Sequence, residues 1–243
     1  SLTGALSVFG NLYMASGDIS TNTIGTSFGV LFNKDLTEKY QISGLYSLVD
    51  EGKWTFDKLK EFTLGKAVDL DGDAQMTEND LWPLTGNPGS DLVAGFGERM
   101  ILRGDNGEII FNMGSESYVN AAQVVCDYLS RSNTAGVWTD TNITLNLFQT
   151  DRAMFFTTSM NNLITGYNAL PSCREMKSDY GVLPLPKYDE TQKDYLTLNW
   201  AGFMCVPASA GDPELVGLVA ELLASESCRT VIPAFYDVLL GEK

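Results

Sequence analysis

Asp69, Asp71 and Asp73 stand at every second position of one short stretch, and they are the residues that most directly suggest chemistry. Carboxylates packed this closely repel one another unless water or a cation offsets the charge. Set against a Ca²⁺-binding loop, Asp69, Asp71 and Asp73 take positions 1, 3 and 5, Gln75 position 7, Thr77 position 9 and Asp80 position 12. Two departures weaken the match: Ala74 stands where the template has glycine, and Asp80 is one methylene shorter than the usual glutamate. There is no second copy, which argues against a paired Ca²⁺ sensor. Two readings stay open. One is a structural Ca²⁺ held by Asp69, Asp71, Asp73, Gln75 and Asp80. The other is a solvated acidic turn in which Thr77 caps the next short helix.

Other chemistry is bounded by composition. The chain has 243 residues and no histidine. The commonest general base and the commonest Zn²⁺ ligand are therefore missing, which excludes His-dependent triad hydrolases and His-ligated metal enzymes. Cys126, Cys173, Cys205 and Cys228 form no C-x-x-C pair, so a zinc ribbon or redox motif is not expected. They read as free thiols, with Cys126 a small core residue. A net charge of −15 argues against nucleic acid and against an anionic membrane surface.

A glycosidase would need two carboxylates. With 31 Asp and Glu, chance alone supplies a pair. No carboxylate is expected in an apolar strand-end setting that would raise its pKa, as a general acid requires. Glu61, Glu98 and Glu116 read as solvated helix residues. The chain is therefore expected not to be an enzyme. A structural or interaction module built on the acidic loop is the other rival.

The elements that would position such residues follow from periodicity. Thr55 reads as the N-cap of a short helix with Phe56, Leu59 and Phe62 at helical spacing and Gly65 as its stop. Residues 27–32 read as a strand, and Asn33 or Asp35 as the cap of the helix after it. Gly86-Asn87-Pro88-Gly89 is a turn, with Ser90 or Asp91 capping Leu92 to Phe96. Asp105-Asn106-Gly107 joins two strands of a hairpin. Ser115 opens a helix with Tyr118, Ala122, Val125 and Leu129 as its apolar stripe. Residues 139–144 read as loop, and Ala153 to Phe156 as a buried strand. The prolines of Tyr180 to Lys187 place that strand at a sheet edge. Thr197 to Pro207 reads as another apolar strand. Asp212-Pro213-Glu214 starts a helix that buries Leu215, Leu218, Val219 and Leu222. Strand–helix–strand order gives an α/β fold. No stretch approaches the roughly 20 apolar residues of a membrane span. No signal peptide is visible.

Several of these motifs, in this order, resemble family 1 extracellular solute-binding proteins, the sugar receptors of ABC importers. Gly29 to Leu36 is similar to that family's YYNKDL corner. Trp54-Thr-Phe-Asp-Lys-Leu59 is similar to WTWDEF, and Asp69 to Asp73 to DLDGDG. Phe148 to Phe156 is similar to F.GKVAMF, and Tyr180 to Lys187 to YGVLPLPK. Met204 to Ala210, followed by Asp212-Pro213-Glu214, resembles the family's IPK.SKNPE run.

The resemblance implies a periplasmic-binding-protein-like type II fold, with a mixed sheet flanked by helices and the first part of lobe 1 missing. It implies a central fragment: residues 1–20 in the hinge and lobe 1, 21–185 as lobe 2, and 186–243 crossing back to lobe 1. It implies an extracytoplasmic protein, a cell-surface lipoprotein or a periplasmic one, that carries a mono- or oligosaccharide to ABC permease subunits without catalysis. The exposed lobe 1 edge would be a surface for association. No cofactor is required beyond the Ca²⁺ considered above. Ligand candidates lie just past strand ends. They are Trp200 as an aromatic platform, Thr157, Ser159 and Met160 after the Ala153–Phe156 strand, Asn87 in the glycine turn, Trp82, and Phe32 in place of a family tyrosine. Each also has a packing or capping alternative: Trp200 and Trp82 as core residues, Thr157 or Ser159 as a helix cap.

Overall fold

The computed structural model describes residues 7–8, 11–131, 133–138, 140–164 and 172–240. In chain order the elements are β1 (Ser7–Val8), β2 (Asn11–Leu12), α1 (Asn22–Gly25), β3 (Phe28–Asn33), α2 (Lys34–Lys39), α3 (Leu45–Asp50) and α4 (Phe56–Thr63). Next come β4 (Trp82–Gly86), α5 (Pro88–Gly95), β5 (Ile101–Arg103), β6 (Ile109–Phe111), α6 (Glu116–Leu129) and α7 (Thr141–Gln149). The last are β7 (Ala153–Ser159), α8 (Asn161–Ile164), β8 (Tyr180–Leu183) and α9 (Pro213–Glu226). Helical turns of π and α type continue from Ser227 to Leu240, through Pro233. Among the described residues, no helix is long and apolar enough to cross a membrane.

Two compact units result. The larger joins Phe28–Arg99 to Gly114–Leu198, and the smaller takes the described residues of Ser1–Ser27, Met100–Met113 and Asn199–Lys243.

The larger unit is built on a four-stranded mixed sheet in the order β4-β7-β3-β8. β4 runs parallel to β7, and β3 runs antiparallel to both β7 and β8. The C-terminal ends of β4, β7 and β8 therefore lie at one end of the sheet, with the start of β3 among them. All six residues of β3 are buried. A strand covered on both faces reads as a continuous apolar run rather than an alternating one, and Phe28-Gly-Val-Leu-Phe32 is such a run. β8 sits at an edge, where the following prolines cost no ladder bond.

Helix starts follow their caps. Asn33 Oδ1 accepts from Leu36 N at 2.9 Å, Ser115 Oγ from Tyr118 N at 3.3 Å, and Asp212 Oδ1 from Leu215 N at 3.0 Å. Thr55 precedes α4 as expected, but its side chain is buried and makes no capping bond. Trp54 beside it is fully buried. Its Nε1 donates to Pro184 O at 2.8 Å, and its ring lies 6.5 Å from Phe62 and 6.2 Å from Phe155. Phe56 meets Phe96 and Tyr128 edge-on, both at 5.2 Å. Tyr128 and Thr63 share a hydroxyl–hydroxyl bond of 2.6 Å inside this core.

Several sequence expectations are corrected. α5 begins at Pro88 behind Asn87, not at Ser90 or Asp91. Thr141 to Thr144 are helical, because Asp140 caps α7 by accepting from Asn142 N at 2.9 Å. α6 buries Ala121, Val125 and Tyr128, a stripe partly offset from the expected one, and leaves Cys126 exposed. Residues 197–207 form no strand; they make isolated bridges, Ser27 with Asn199 and Ala15 with Met204. α9 has its expected cap and Pro213, but none of its residues is buried, including Leu215, Leu218, Val219 and Leu222. The β5–β6 hairpin forms as expected, with Ile101, Ile109 and Phe111 exposed.

Candidate functional site

Gly86 ends β4 with φ at 110°, a conformation that L side chains rarely adopt. Its partner across the parallel ladder is Thr157. A Cβ at position 86 would overlap the Thr157 carbonyl oxygen and lie 2.6 Å from Thr157 Oγ1. β4 and β7 can approach this closely because no side chain stands between them.

The chain then turns through Asn87 into α5, with Pro88 at the first helical position, where its fixed φ suits a helix start. Asn87 is exposed, and its side chain makes no capping bond. Ser90 is exposed as well. Its hydroxyl donates to Asp91 Oδ1 at 3.2 Å and to Asn87 O at 3.4 Å. Asp91, in the first turn of α5, is 1% exposed. Burial pushes its carboxyl up to about 6, while the Thr157 and Ser90 hydroxyls act in the opposite sense. The Thr157 hydroxyl thus faces the carboxyl, yet neither Asp91 Oδ2 nor Thr157 Oγ1 completes a hydrogen bond of good geometry.

Ser159 closes β7 opposite Phe28 and is half-buried, and Met160 follows it with Cε against Gly29. Thr158 Oγ1 accepts from Asn162 Nδ2 at 2.6 Å. Asn87, Thr157, Ser159 and Met160 are therefore brought to one end of the sheet, where the ends of parallel strands in open α/β sheets receive ligands.

Asp91 is the residue that sequence reasoning missed, and it corrects the expectation that no carboxylate sits buried at a strand end. A signal existed. Asn87-Pro88 starts the helix three residues earlier than supposed, which turns Asp91 from a solvated cap into an inward-facing first-turn residue. One buried carboxyl is half of a glycosidase pair, and no second carboxyl acts on Asp91.

Two other candidates lie elsewhere. Trp82 starts β4 opposite Ala153, at the far end of the sheet from Gly86. It is buried, meets Trp138 edge-on at 5.5 Å and donates Nε1–H to Thr77 O at 2.7 Å. Phe32 pairs with Phe155, also away from the Thr157 end, and packs edge-on against Tyr46 at 5.6 Å. Both pack against an aromatic neighbour, away from the Gly86 turn. Trp200 belongs to the smaller unit. The residue is 64% exposed, and its amide donates to Thr26 O at 3.3 Å.

The acidic loop is ordered from within. Asp69 accepts from Gly72 N at 2.6 Å and from Ala74 N at 2.8 Å, and Gln75 N donates to Asp73 at 2.7 Å. Carboxylate oxygens of Asp69, Asp71 and Asp73 gather within 4.8 Å of one another, all on exposed residues, so this trio could hold a cation. The Asp73 amide acts to lower the Asp71 carboxyl, but desolvation and the neighbouring carboxylates leave it raised.

Asp80 stands apart from the trio. It is buried, and it closes the loop by accepting from Leu70 N at 2.8 Å and from Thr77 N at 2.7 Å. The Thr77 amide, then the Leu70 amide, hold it below the usual carboxylate range. Its contribution to stability is thus present above about pH 4 and lost as the pH falls through its lowered folded value. Asp80→Ala should lower Tm by a few degrees at pH 7 and open residues 69–79 to proteolysis, with or without Ca²⁺. Wild-type Tm and protease resistance in the variant would refute this role.

No protein-family description and no curated protein matches the sequence. Solved structures do match in fold. The maltose/maltodextrin-binding domain MalE from Bdellovibrio bacteriovorus, bound to maltotriose, is 18% identical with a TM-score of 0.61, covering 96% of this chain and 54% of that one. A cyclo/maltodextrin-binding protein complexed with maltotetraose is 15% identical, TM-score 0.60, with 93% and 53% covered. The ABC substrate-binding protein Lmo0181 from Listeria monocytogenes, in complex with cycloalternan, is 12% identical, TM-score 0.57, with 99% and 60% covered. The chain therefore shares the periplasmic-binding-protein-like fold expected of it and spans about half the length of these structures.

Proposed function

We propose that this chain carries the main part of the second lobe of an extracytoplasmic solute-binding protein, which captures a mono- or oligosaccharide and presents it to the membrane subunits of an ABC importer. One observation carries the reading: the ends of β4 and β7 bring Asn87, Ser90 and Ser159 to one end of the sheet, over the buried Thr157, on a fold that this chain shares with structures solved with maltotriose, maltotetraose and cycloalternan. Amide and hydroxyl groups at a strand-end turn match the needs of sugar hydroxyls. The ligand would favour a closed arrangement of the full protein, and the importer would read that state.

The test is an NMR titration of the chain with maltose, maltotriose and tagatose at millimolar concentration, with and without Ca²⁺. At least one sugar should shift the amide signals of Asn87, Ser90, Thr157 and Ser159. Asn87→Ala should weaken that binding by about fivefold, the value of one neutral hydrogen bond of about 1 kcal/mol. No movement at these amides with any sugar would refute the reading. Shifts confined to residues 69–80 on adding Ca²⁺ would instead favour a structural cation loop.

A further inference from the structure

Asp91 lies beneath the Asn87 turn, one residue from the exposed Ser90. Its Oδ1 accepts the Ser90 hydroxyl, while Oδ2 and the Thr157 hydroxyl that acts on the same carboxyl are both buried with no completed bond. Asparagine would fill the same space without a buried charge, so the charge itself calls for an explanation. An ionised carboxylate accepts and never donates. It therefore draws the Ser90 hydrogen inward and leaves the Ser90 lone pairs facing solvent, ready to accept from a ligand hydroxyl. Hydrogen bonds to a charged acceptor are roughly twice as strong as neutral ones, so a sugar hydroxyl on Ser90 helps to compensate the buried charge. A proton compensates it in another way. Protonated Asp91 can donate to Thr157 Oγ1, which supplies both unpartnered atoms and loosens the hold on Ser90.

Resting on the carbohydrate reading of this turn, we propose that Asp91 is a positioning residue that makes sugar binding proton-linked: a hydroxyl donor at Ser90 and a proton compete to neutralise the same buried carboxylate.

The neighbours leave this competition undisturbed. β4, β7 and the rest of α5 carry no ionisable side chain. α6 packs on α5 and carries Glu116, Tyr118, Cys126, Asp127 and Tyr128, none of which acts on Asp91. The sign follows from burial. With its titration raised to about 6, Asp91 is mostly protonated at pH 5 and mostly ionised at pH 7.5. Sugar favours the ionised form, so binding releases a proton to the buffer, and affinity rises with pH until Asp91 is fully ionised.

The experiment uses the chain with maltotriose as the probe, followed by NMR at pH 5 and pH 7.5. Aspartate carboxyl ¹³C signals are recorded across pH without sugar. One carboxyl should titrate near pH 6 in the wild type and vanish in Asp91→Asn. Maltotriose should bind wild type several-fold more tightly at the higher pH, up to the roughly tenfold ratio of ionised fractions. In Asp91→Asn the ratio should fall to within about twofold, with the weaker affinity at both pH values. Ser90→Ala should flatten the pH dependence of binding while the carboxyl still titrates near pH 6, which a purely structural role would not produce. If Asp91→Asn does not fold, the Ser90→Ala comparison decides alone. Equal wild-type affinity at both pH values would overturn the linkage and leave the carbohydrate reading standing. The same would follow if the pH dependence survives in either variant. No maltotriose effect at the turn at either pH would overturn the linkage and count against the carbohydrate reading together.

Discussion

Gly86→Ala should destabilise the larger unit by about 3–5 kcal/mol and abolish any binding at the strand-end turn. Two effects add. Backbone held at φ 110° costs a non-glycine residue of order 1–3 kcal/mol. Forcing a methyl group into a packed space costs roughly as much again. Here the obstacle is the Thr157 backbone, which cannot rotate away as a side chain would. Relief would require β4 and β7 to separate at their parallel pairing, the contact that brings Asn87 beside Thr157. Urea denaturation measures the loss, and the Thr157 amide signal reports the site. A variant within 1 kcal/mol of wild type would show that the turn can relax, and the account of the strand-end geometry given above would then be wrong.

Trp54→Ala should cost about 3–5 kcal/mol, the usual range for removing a large buried aromatic side chain. The indole is fully buried between Phe62 and Phe155 and supplies the hydrogen bond to Pro184 O. It therefore joins α4, the sheet and the segment after β8. Trp54→Phe should fall in between, because it keeps most of the apolar area but leaves the Pro184 carbonyl unpartnered. Since whole domains are stable by only about 5–15 kcal/mol, the alanine variant should be largely unfolded at moderate urea concentrations. Equal midpoints for the phenylalanine variant and wild type would mean that water replaces the indole N–H.

Local features were the most legible in the sequence. Asn33, Ser115 and Asp212 cap the helices they were expected to cap, since a cap is a contact over three residues. The strands from Phe28 and from Ala153 declared themselves by unbroken apolar runs. The fold class followed from the order of elements and from the resemblance.

What a residue packs against was less legible. Trp82 and Phe32 have types suited to sugar contact, but strand direction puts them at the opposite end of the sheet from Gly86 and Thr157, and direction is a tertiary fact. The stripe of α9 has perfect helical spacing, yet it is exposed, because periodicity names a face without naming what covers it. Asp91 was hidden by one misplaced helix start. Shifting a helix boundary by three residues changes which side chains face inward.

The exposed leucines and valines of α9 also bear on how this chain behaves in a concentrated solution. Leu215, Leu218, Val219, Leu222 and Leu223 together form a sticky surface on a molecule whose net charge of −15 makes copies repel one another. The repulsion acts at a distance and the stickiness only on contact. At physiological ionic strength, charges more than about 8 Å apart are largely screened, while apolar attraction is untouched. Added sulfate or phosphate goes further, screening the charge and strengthening apolar association together. Self-association of this chain is therefore expected to rise with added sulfate, and light scattering across a salt series measures it.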